Sequence, residues 1–104
     1  MSTVDMAPEH LNIVLTILKK HLSSTTSVWV FGSRSKRAQK KFSDLDLAID
    51  YDNHAIPQAI LSDLAEDFDN SDLPYRVDII DWNKISVQFK NNIDQTRVVL
   101  PGWP

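Results

Sequence analysis

The segment that decides the fold comprises residues 28–50, which read VWVFGS at 28–33 and, after ten further residues, DLDLAID at 44–50. The first run is β-branched and aromatic and stops at Gly32, which predicts a buried strand. In the second run apolar residues alternate with Asp44, Asp46 and Asp50. This alternation predicts a second strand with one face in a core and the other carrying carboxylates.

The flanking sequence predicts helices and two more strands. Apolar residues recur at helical spacing over about residues 7 to 23, after Pro8, and again after Pro57. A third strand is predicted over Tyr75–Ile80, a last helix capped by Ser86, and a short edge strand over residues 97–100. With a short helix after Gly32, the order alternates between helix and strand. The predicted fold class is α/β (α+β), with a mixed β-sheet of about four strands and helices packed against it.

Length and composition limit the architecture. The chain has 104 residues, of which 42% are hydrophobic, which predicts a single minimal domain over residues 1–104. It has no cysteine, so thiolate chemistry is excluded. Neither a signal peptide nor an apolar run of about 20 residues is present, and we expect a cytoplasmic location.

Charge is unevenly distributed along the chain. The net charge is -3, but five basic residues between Arg34 and Lys41 precede an acidic stretch, residues 42–81, whose only basic residue is Arg76. A site for phosphates and metal ions needs both signs of charge. The alternative is a solvated basic loop followed by surface acids.

Three carboxylates are the candidate metal ligands. Residues i and i+2 of a strand face the same side with Cα atoms about 6.5–7 Å apart, so Asp44 and Asp46 can both reach ions between them. Asp78 interrupts the apolar run of the third strand. Clustered carboxylates repel unless a cation lies between them, and oxygen ligands suit Mg²⁺. Calcium is the weaker interpretation, because an EF-hand loop starting at Asp44 would need Gly near its sixth position and Glu at its twelfth, where this chain has Ile49 and Ala55.

Gly32 and Ser33 are the candidate phosphate-binding residues. A glycine lets a phosphate approach the backbone, and Ser33 would begin a helix whose free N–H groups face the anion. The segment lacks the Gly-Lys-Ser/Thr ending of a P-loop. Arg34 and Lys36 are the nearest cations for further phosphate contacts, whereas Lys40 and Lys41 are expected to face solvent or a partner.

The combined pattern resembles the minimal nucleotidyltransferases of the polymerase-β superfamily. It consists of Phe31-Gly32-Ser33-Arg34, then Asp44-Leu45-Asp46, then Asp78 within an apolar segment. The resemblance implies that Gly32 and Ser33 hold the β and γ phosphates of ATP. Asp44 and Asp46 would bind two Mg²⁺ ions, and Asp78 would complete the second metal site and help to deprotonate an acceptor hydroxyl. Arg37 stands where many members have a glycine, which leaves the geometry of this loop open.

The same resemblance implies a partner protein. Larger relatives carry a second domain for the acceptor, for which this chain has no length. Minimal members are similar to the antitoxin halves of two-gene toxin–antitoxin modules, which attach AMP to a tyrosine of a small all-helical HEPN-type protein encoded nearby. Two alternatives stay open: the catalytic subunit of a small-molecule nucleotidyltransferase of the aminoglycoside-modifying kind, and a non-catalytic binding antitoxin. A nucleic acid acceptor is disfavoured by the acidic balance.

Several other residues receive structural interpretations. The three histidines, His10, His21 and His54, lack metal-ligand spacing and are interpreted as surface residues. Trp29 is interpreted as core, and Arg76 as a partner of Asp78 or Asp44 or a projecting side chain. Trp103 is interpreted either as an exposed aromatic on a partner surface or as part of a frayed terminus.

Overall fold

The computed structural model describes Val4, residues 6–32 and residues 44–104. The elements, in chain order, are helix α1 (Pro8–His21), strands β1 (Ser27–Phe31) and β2 (Leu45–Asp50), helix α2 (Gln58–Asp69), strand β3 (Val77–Asp81), a 3₁₀ helix (Trp82–Lys84), helix α3 (Val87–Asp94) and strand β4 (Val98–Val99). The helix expected after Gly32 lies outside the described residues.

The strands form one mixed sheet in the order β3-β2-β1-β4. β1 pairs antiparallel with both β2 and β4, whereas β2 and β3 are parallel. The α2 crossover joins this parallel pair, as such a connection requires. The four-stranded mixed sheet with packed helices confirms the predicted fold class.

The main core lies between one face of the sheet and helices α1 and α2. Alternation of side chains along the strands directs Val28 and Val30 of β1 into this core, together with Leu47 and Ile49 of β2. The helices contribute apolar residues three or four apart, which form one stripe on each helix. These helix residues are Val14, Leu18, Leu64 and Phe68.

The second face of the sheet is covered in part by α3. Phe31 of β1 makes an edge-to-face contact with Phe89 of α3, with ring centroids 6.4 Å apart. Ile93 of α3 and Ala48 of β2 are fully buried yet lie outside the main core cluster. A second, smaller apolar layer therefore lies on the face of β2 opposite α1 and α2.

Trp29 belongs to this second face, so its interpretation as a core residue was wrong. It is only half-buried, and its ring lies 5.2 Å from that of Trp82. The Arg97 guanidinium stacks 4.4 Å from the Trp29 ring and 5.0 Å from the Trp82 ring. The run at 28–31 is therefore fully buried on one face only, and on the other face the Arg97 guanidinium stacks on Trp29.

The C-terminal segment is packed against the body of the protein. Trp103 is 8% exposed, and its indole N–H donates a hydrogen bond of 2.6 Å to the carbonyl oxygen of Thr26. Both interpretations of Trp103, as an exposed partner contact and as a frayed end, were wrong. The sequence gives no direct signal for this contact, because it joins residues 77 positions apart.

Local sequence signals explain where the helices begin. Pro8 occupies the first turn of α1, where its missing N–H leaves no bond unmade. The Ser86 hydroxyl accepts a hydrogen bond from the Phe89 amide and caps α3, as predicted.

β3 begins at Val77 rather than at Tyr75, whose ring packs edge-on against His10 instead. Across the described ranges no helix is long and apolar enough to cross a bilayer.

His21 is not a free surface histidine. Its Nε2 atom lies 2.6 Å from the Asp67 carboxylate of α2, and the Lys20 ammonium lies 3.4 Å from the same oxygen. The His21 hydrogen bond is the largest of the contributions that lower the pKa of Asp67. This polar cluster joins the C-terminal end of α1 to α2, on the helix side of the sheet.

Candidate active site

Asp46 and Asp78 lie side by side on neighbouring parallel strands. They are register partners in the pairing of β2 with β3, so their side chains leave the same face of the sheet. Asp44 lies just before β2, two residues from Asp46, and is exposed. Strand pairing thus places Asp46 and Asp78 side by side, and Asp44 lies two residues before Asp46 at the start of β2.

Gly32 borders this site at the end of β1, next to Asp46. Its neighbour Phe31 is the register partner of Asp46, and Gly32 itself adopts a left-handed conformation with φ of +75°. A Cβ atom placed on Gly32 would lie 2.7 Å from Oδ2 of Asp46, which is closer than side chains approach one another. Glycine is therefore favoured here on two counts: the left-handed backbone would be strained with any side chain, and a Cβ would displace the Asp46 carboxylate.

The backbone amide of Gly32 is engaged by a residue that the sequence did not point to. It donates a 3.2 Å hydrogen bond to the hydroxyl of Thr96, two residues after the end of α3. Thr96 therefore helps to hold the left-handed turn in place. No sequence pattern marks this contact, because 64 positions separate the two residues.

The electrostatics of the site centre on Asp46. Burial, the Asp78 carboxylate and then the Asp44 carboxylate all raise the pKa of Asp46 above its ordinary value of 3.8. All three causes disfavour the ionised form of Asp46. The protein thus holds Asp46 among negative neighbours, at a cost that a cation would remove.

Arg76 supplies the one positive side chain that the acidic stretch contains. Its Nη2 atom lies 3.1 Å from Oδ1 of Asp78. Arg76 therefore pairs with Asp78, which is one of the interpretations given for it above. The Arg76 side chain is 78% exposed and that of Asp78 is 38% exposed. An ion pair this exposed contributes at most about 1 kcal/mol, so its main effect is to orient the Asp78 carboxylate.

The donor set matches a hard divalent cation. Asp44, Asp46 and Asp78 offer only oxygen atoms, and Mg²⁺ commonly takes one or two carboxylates and completes its shell with water and substrate phosphates. In the part of the chain that the structure describes, no three His, Asp or Glu side chains converge as ligands of one ion. Asp46 and Asp78, which lie side by side, fit a site in which water and phosphate oxygens provide the other ligands.

The remaining predicted site residues are Ser33, Arg34 and Lys36. They lie outside the described residues, as do Arg37, Lys40 and Lys41. The phosphate-binding roles inferred for Ser33, Arg34 and Lys36 therefore stay predictions.

The fold and this arrangement of residues define a nucleotidyltransferase domain. The family model described as "Polymerase beta, Nucleotidyltransferase" matches residues 12–101 of this chain. The chain belongs to this family and is a nucleotidyltransferase.

The protein is similar to one named "Probable protein adenylyltransferase MntA" from Haemophilus influenzae. The two are 44% identical over 102 residues, which cover 93% of this chain and 83% of the relative. This similarity extends well beyond the segments that carry the carboxylates.

Crystal structures of toxin–antitoxin complexes share the fold. One, described as a toxin-antitoxin with AMP-PNP, superposes with a TM-score of 0.70 at 23% identity and covers 88% of this chain and 73% of its own. A second, of a mutant toxin-antitoxin MntA-HpeT, has a TM-score of 0.68 at 20% identity and covers 88% of this chain and 72% of its own.

Proposed function

We propose that this protein transfers AMP from ATP to a tyrosine hydroxyl of a small all-helical HEPN-type partner encoded nearby, and so acts as the antitoxin of a two-gene module. The observation that carries the proposal is the juxtaposition of Asp46 and Asp78 beside Gly32, with the pKa of Asp46 raised by burial and by its acidic neighbours. Such a group of carboxylates favours a substrate that brings phosphates together with cations. The 44% identical relative, named as a probable protein adenylyltransferase, supports protein as the acceptor.

We propose Asp44, Asp46 and Asp78 as the residues that hold two Mg²⁺ ions. When bound, Mg²⁺ supplies charge neutralisation for the triphosphate and for the leaving pyrophosphate. Gly32 and Ser33 are proposed to lie against the β and γ phosphates, with Arg34 and Lys36 as further phosphate contacts. The Thr96 hydroxyl holds the Gly32 backbone in the turn that this requires.

The proposed chemistry is an in-line displacement at the α-phosphorus. The tyrosine oxygen forms the new bond to phosphorus, the bond from the α-phosphorus to its bridging oxygen breaks, and pyrophosphate leaves with that electron pair. The phenolic proton passes to the Asp78 carboxylate, which acts as general base. The Arg76 guanidinium engages one oxygen of Asp78 and so orients the carboxylate toward the face that it shares with Asp46. Positioning and electrostatics provide most of the acceleration in such transfers.

The experiment is a comparison of ATP labelled at the α-phosphate with ATP labelled at the γ-phosphate, each with Mg²⁺ and the co-purified partner. The proposal predicts that α-label appears on the partner and γ-label does not. Asp46→Asn, which keeps the shape of the side chain, is expected to abolish the labelling. A matched control is Asp63→Asn, an exposed aspartate of α2 outside the site, which is expected to leave labelling intact.

Each alternative reaction gives a different result in this experiment. Label on a soluble compound instead of the partner would indicate a small-molecule nucleotidyltransferase. If no label is transferred and Asp46→Asn still protects cells from the partner, the protein is a binding antitoxin without chemistry.

A further inference from the structure

We infer that Thr96 is a positioning residue for nucleotidyl transfer: its hydroxyl holds the turn at Gly32 in the conformation that receives the nucleotide. This inference rests on the proposed function, because that function assigns Gly32 to the phosphates of ATP. The turn after α3, residues 93–97, therefore belongs to the active site, although it contains none of the residues of the sequence motif.

Gly32 does not select its own backbone conformation. A glycine populates positive and negative φ about equally well, so the left-handed conformation of Gly32, with φ of +75°, is selected by contacts. One of these contacts is the 3.2 Å hydrogen bond from the Gly32 amide to the Thr96 hydroxyl. Loss of this hydroxyl therefore widens the range of conformations that Gly32 samples.

The position of Gly32 also sets the space beside Asp46. The open side of Gly32, where other residues carry a side chain, faces the Asp46 carboxylate, because a Cβ there would lie 2.7 Å from Oδ2 of Asp46. Gly32 thus lies between the Thr96 hydroxyl, at its amide, and the Asp46 carboxylate, at its open side. A rotation about φ of Gly32 moves its backbone against a proposed metal ligand and alters the gap that the phosphates enter.

Thr96 is itself held in place by the residues around it. Its amide and that of Arg97 donate hydrogen bonds of 3.0 and 2.8 Å to the Ile93 carbonyl. Ile93 is only 1% exposed, which anchors this end of α3 in the fold. The Arg97 guanidinium lies 2.8 Å from the Asp94 carboxylate and stacks 4.4 Å from the Trp29 ring. The hydroxyl is therefore presented by a fixed support, as a positioning group requires.

Two substitutions separate the hydrogen bond from the packing of the side chain. Valine has the shape of threonine but no oxygen, so Thr96→Val leaves the Gly32 amide without this acceptor. Thr96→Ser keeps the hydroxyl and loses only a methyl group. The inference predicts a defect in Thr96→Val that Thr96→Ser does not share.

The first test observes the Gly32 amide by nuclear magnetic resonance. The chain contains two glycines, Gly32 and Gly102, so protein made with isotope-labelled glycine gives one amide signal for each. In Thr96→Val the Gly32 signal is expected to shift and its amide to exchange with solvent about threefold to tenfold faster, while the Gly102 signal reports an intact fold. In Thr96→Ser the Gly32 amide is expected to exchange as in the parent. An unchanged Gly32 signal in Thr96→Val would overturn the inference.

The second test measures the affinity for AMP-PNP with Mg²⁺ by calorimetry, without the partner. Thr96→Val is expected to raise the Kd about threefold to tenfold, because binding must then order the Gly32 turn, and Thr96→Ser is expected to stay within about twofold of the parent. A hydrogen bond that only stabilises the fold would lower the urea midpoint of Thr96→Val and leave its Kd for AMP-PNP unchanged. That result would contradict the positioning role.

Thr16→Val is the matched control. The Thr16 hydroxyl donates a 2.8 Å hydrogen bond to the Asn12 carbonyl of α1, away from the site. This variant also removes a threonine hydroxyl from a hydrogen bond, and it is expected to leave the Gly32 signal and the Kd for AMP-PNP unchanged. Equal losses of affinity in Thr16→Val and Thr96→Val would count against a specific role of Thr96.

The outcomes also separate this inference from the proposed function, because AMP-PNP binding requires no partner. If Thr96→Val binds AMP-PNP more weakly but the parent transfers no AMP to the partner, the inference stands and the proposed acceptor is wrong. If the parent transfers AMP and Thr96→Val binds AMP-PNP and transfers AMP equally well, the proposed function stands and the inference is overturned.

Discussion

Replacement of Gly32 by alanine tests the geometry of the site most specifically. A Cβ atom at this position would lie 2.7 Å from Oδ2 of Asp46, whereas ordinary van der Waals contact begins at 3.4 Å. The Asp46 carboxylate must therefore retreat by about 0.7 Å, because the hydrogen bond from the Gly32 amide to Thr96 holds the backbone of Gly32 in place. The left-handed backbone adds about 1–2 kcal/mol of strain for any residue with a Cβ.

The expected effect on activity is much larger than the effect on stability. A misplacement near 1 Å can reduce a rate by about 10²-fold, so Gly32→Ala is expected to lower kcat/KM by roughly 10- to 100-fold. The free energy of unfolding, measured by urea titration, is expected to fall by about 1–2 kcal/mol. AMP transfer from α-labelled ATP at saturating and subsaturating concentrations gives the kinetic constants.

Gly102→Ala is the matched control for this prediction. Gly102 also adopts a left-handed conformation, with φ of +79°, and a Cβ there would lie 2.9 Å from a methyl carbon of Leu15. This variant is expected to lose a similar free energy of unfolding and to retain full activity, since Leu15 lies on α1. Equal loss of activity in the two variants, or an active Gly32→Ala, would refute the placement of Asp46 against Gly32.

Three further predictions follow from buried or paired groups. Because the pKa of Asp46 is raised above 3.8, ionisation of Asp46 destabilises the folded state as pH rises. Without Mg²⁺, Asp46→Asn is therefore expected to be more stable than the parent at neutral pH and to lose this advantage as pH falls toward 3.8, in urea titrations at several pH values. The pKa of Asp67 is lowered, so its hydrogen bond with His21 stabilises the folded state above pH 3.8, and this stabilisation is lost in acid. Asp67→Asn is therefore expected to lower the thermal midpoint at neutral pH. Well below pH 3.8 the same variant is expected to have no effect on the midpoint. Trp103→Phe removes the bond to the Thr26 carbonyl and is expected to cost about 1–3 kcal/mol in urea unfolding, whereas an unchanged midpoint would show that the C-terminal segment does not stabilise the fold.

The fold was largely predictable because its signals are local. The apolar alternation at residues 44–50, the helical stripes of α1 and α2, and the Ser86 cap each act within a few residues. The four-stranded mixed sheet and the packed helices follow from them. The carboxylate pair Asp44 and Asp46 was predictable for the same reason, since both belong to one alternating segment.

The features that sequence reasoning missed depend on contacts between distant segments. Trp29 is a large aromatic residue within an apolar run, which is typical of a core residue. Only its contacts with Trp82 and Arg97 show that it lies on the second face. Trp103 looks like a loose terminal residue until Thr26 is known to accept its N–H. The hydrogen bond between Gly32 and Thr96 likewise joins segments that are far apart in the sequence.

The most direct test of nucleotidyl transfer to protein is the intact mass of the partner after co-expression with this chain. We expect the partner to carry the mass of an adenylyl group, located on a tyrosine by tandem mass spectrometry, and to be unmodified when co-expressed with Asp46→Asn. A partner of the same mass with the parent chain and with Asp46→Asn would contradict the account.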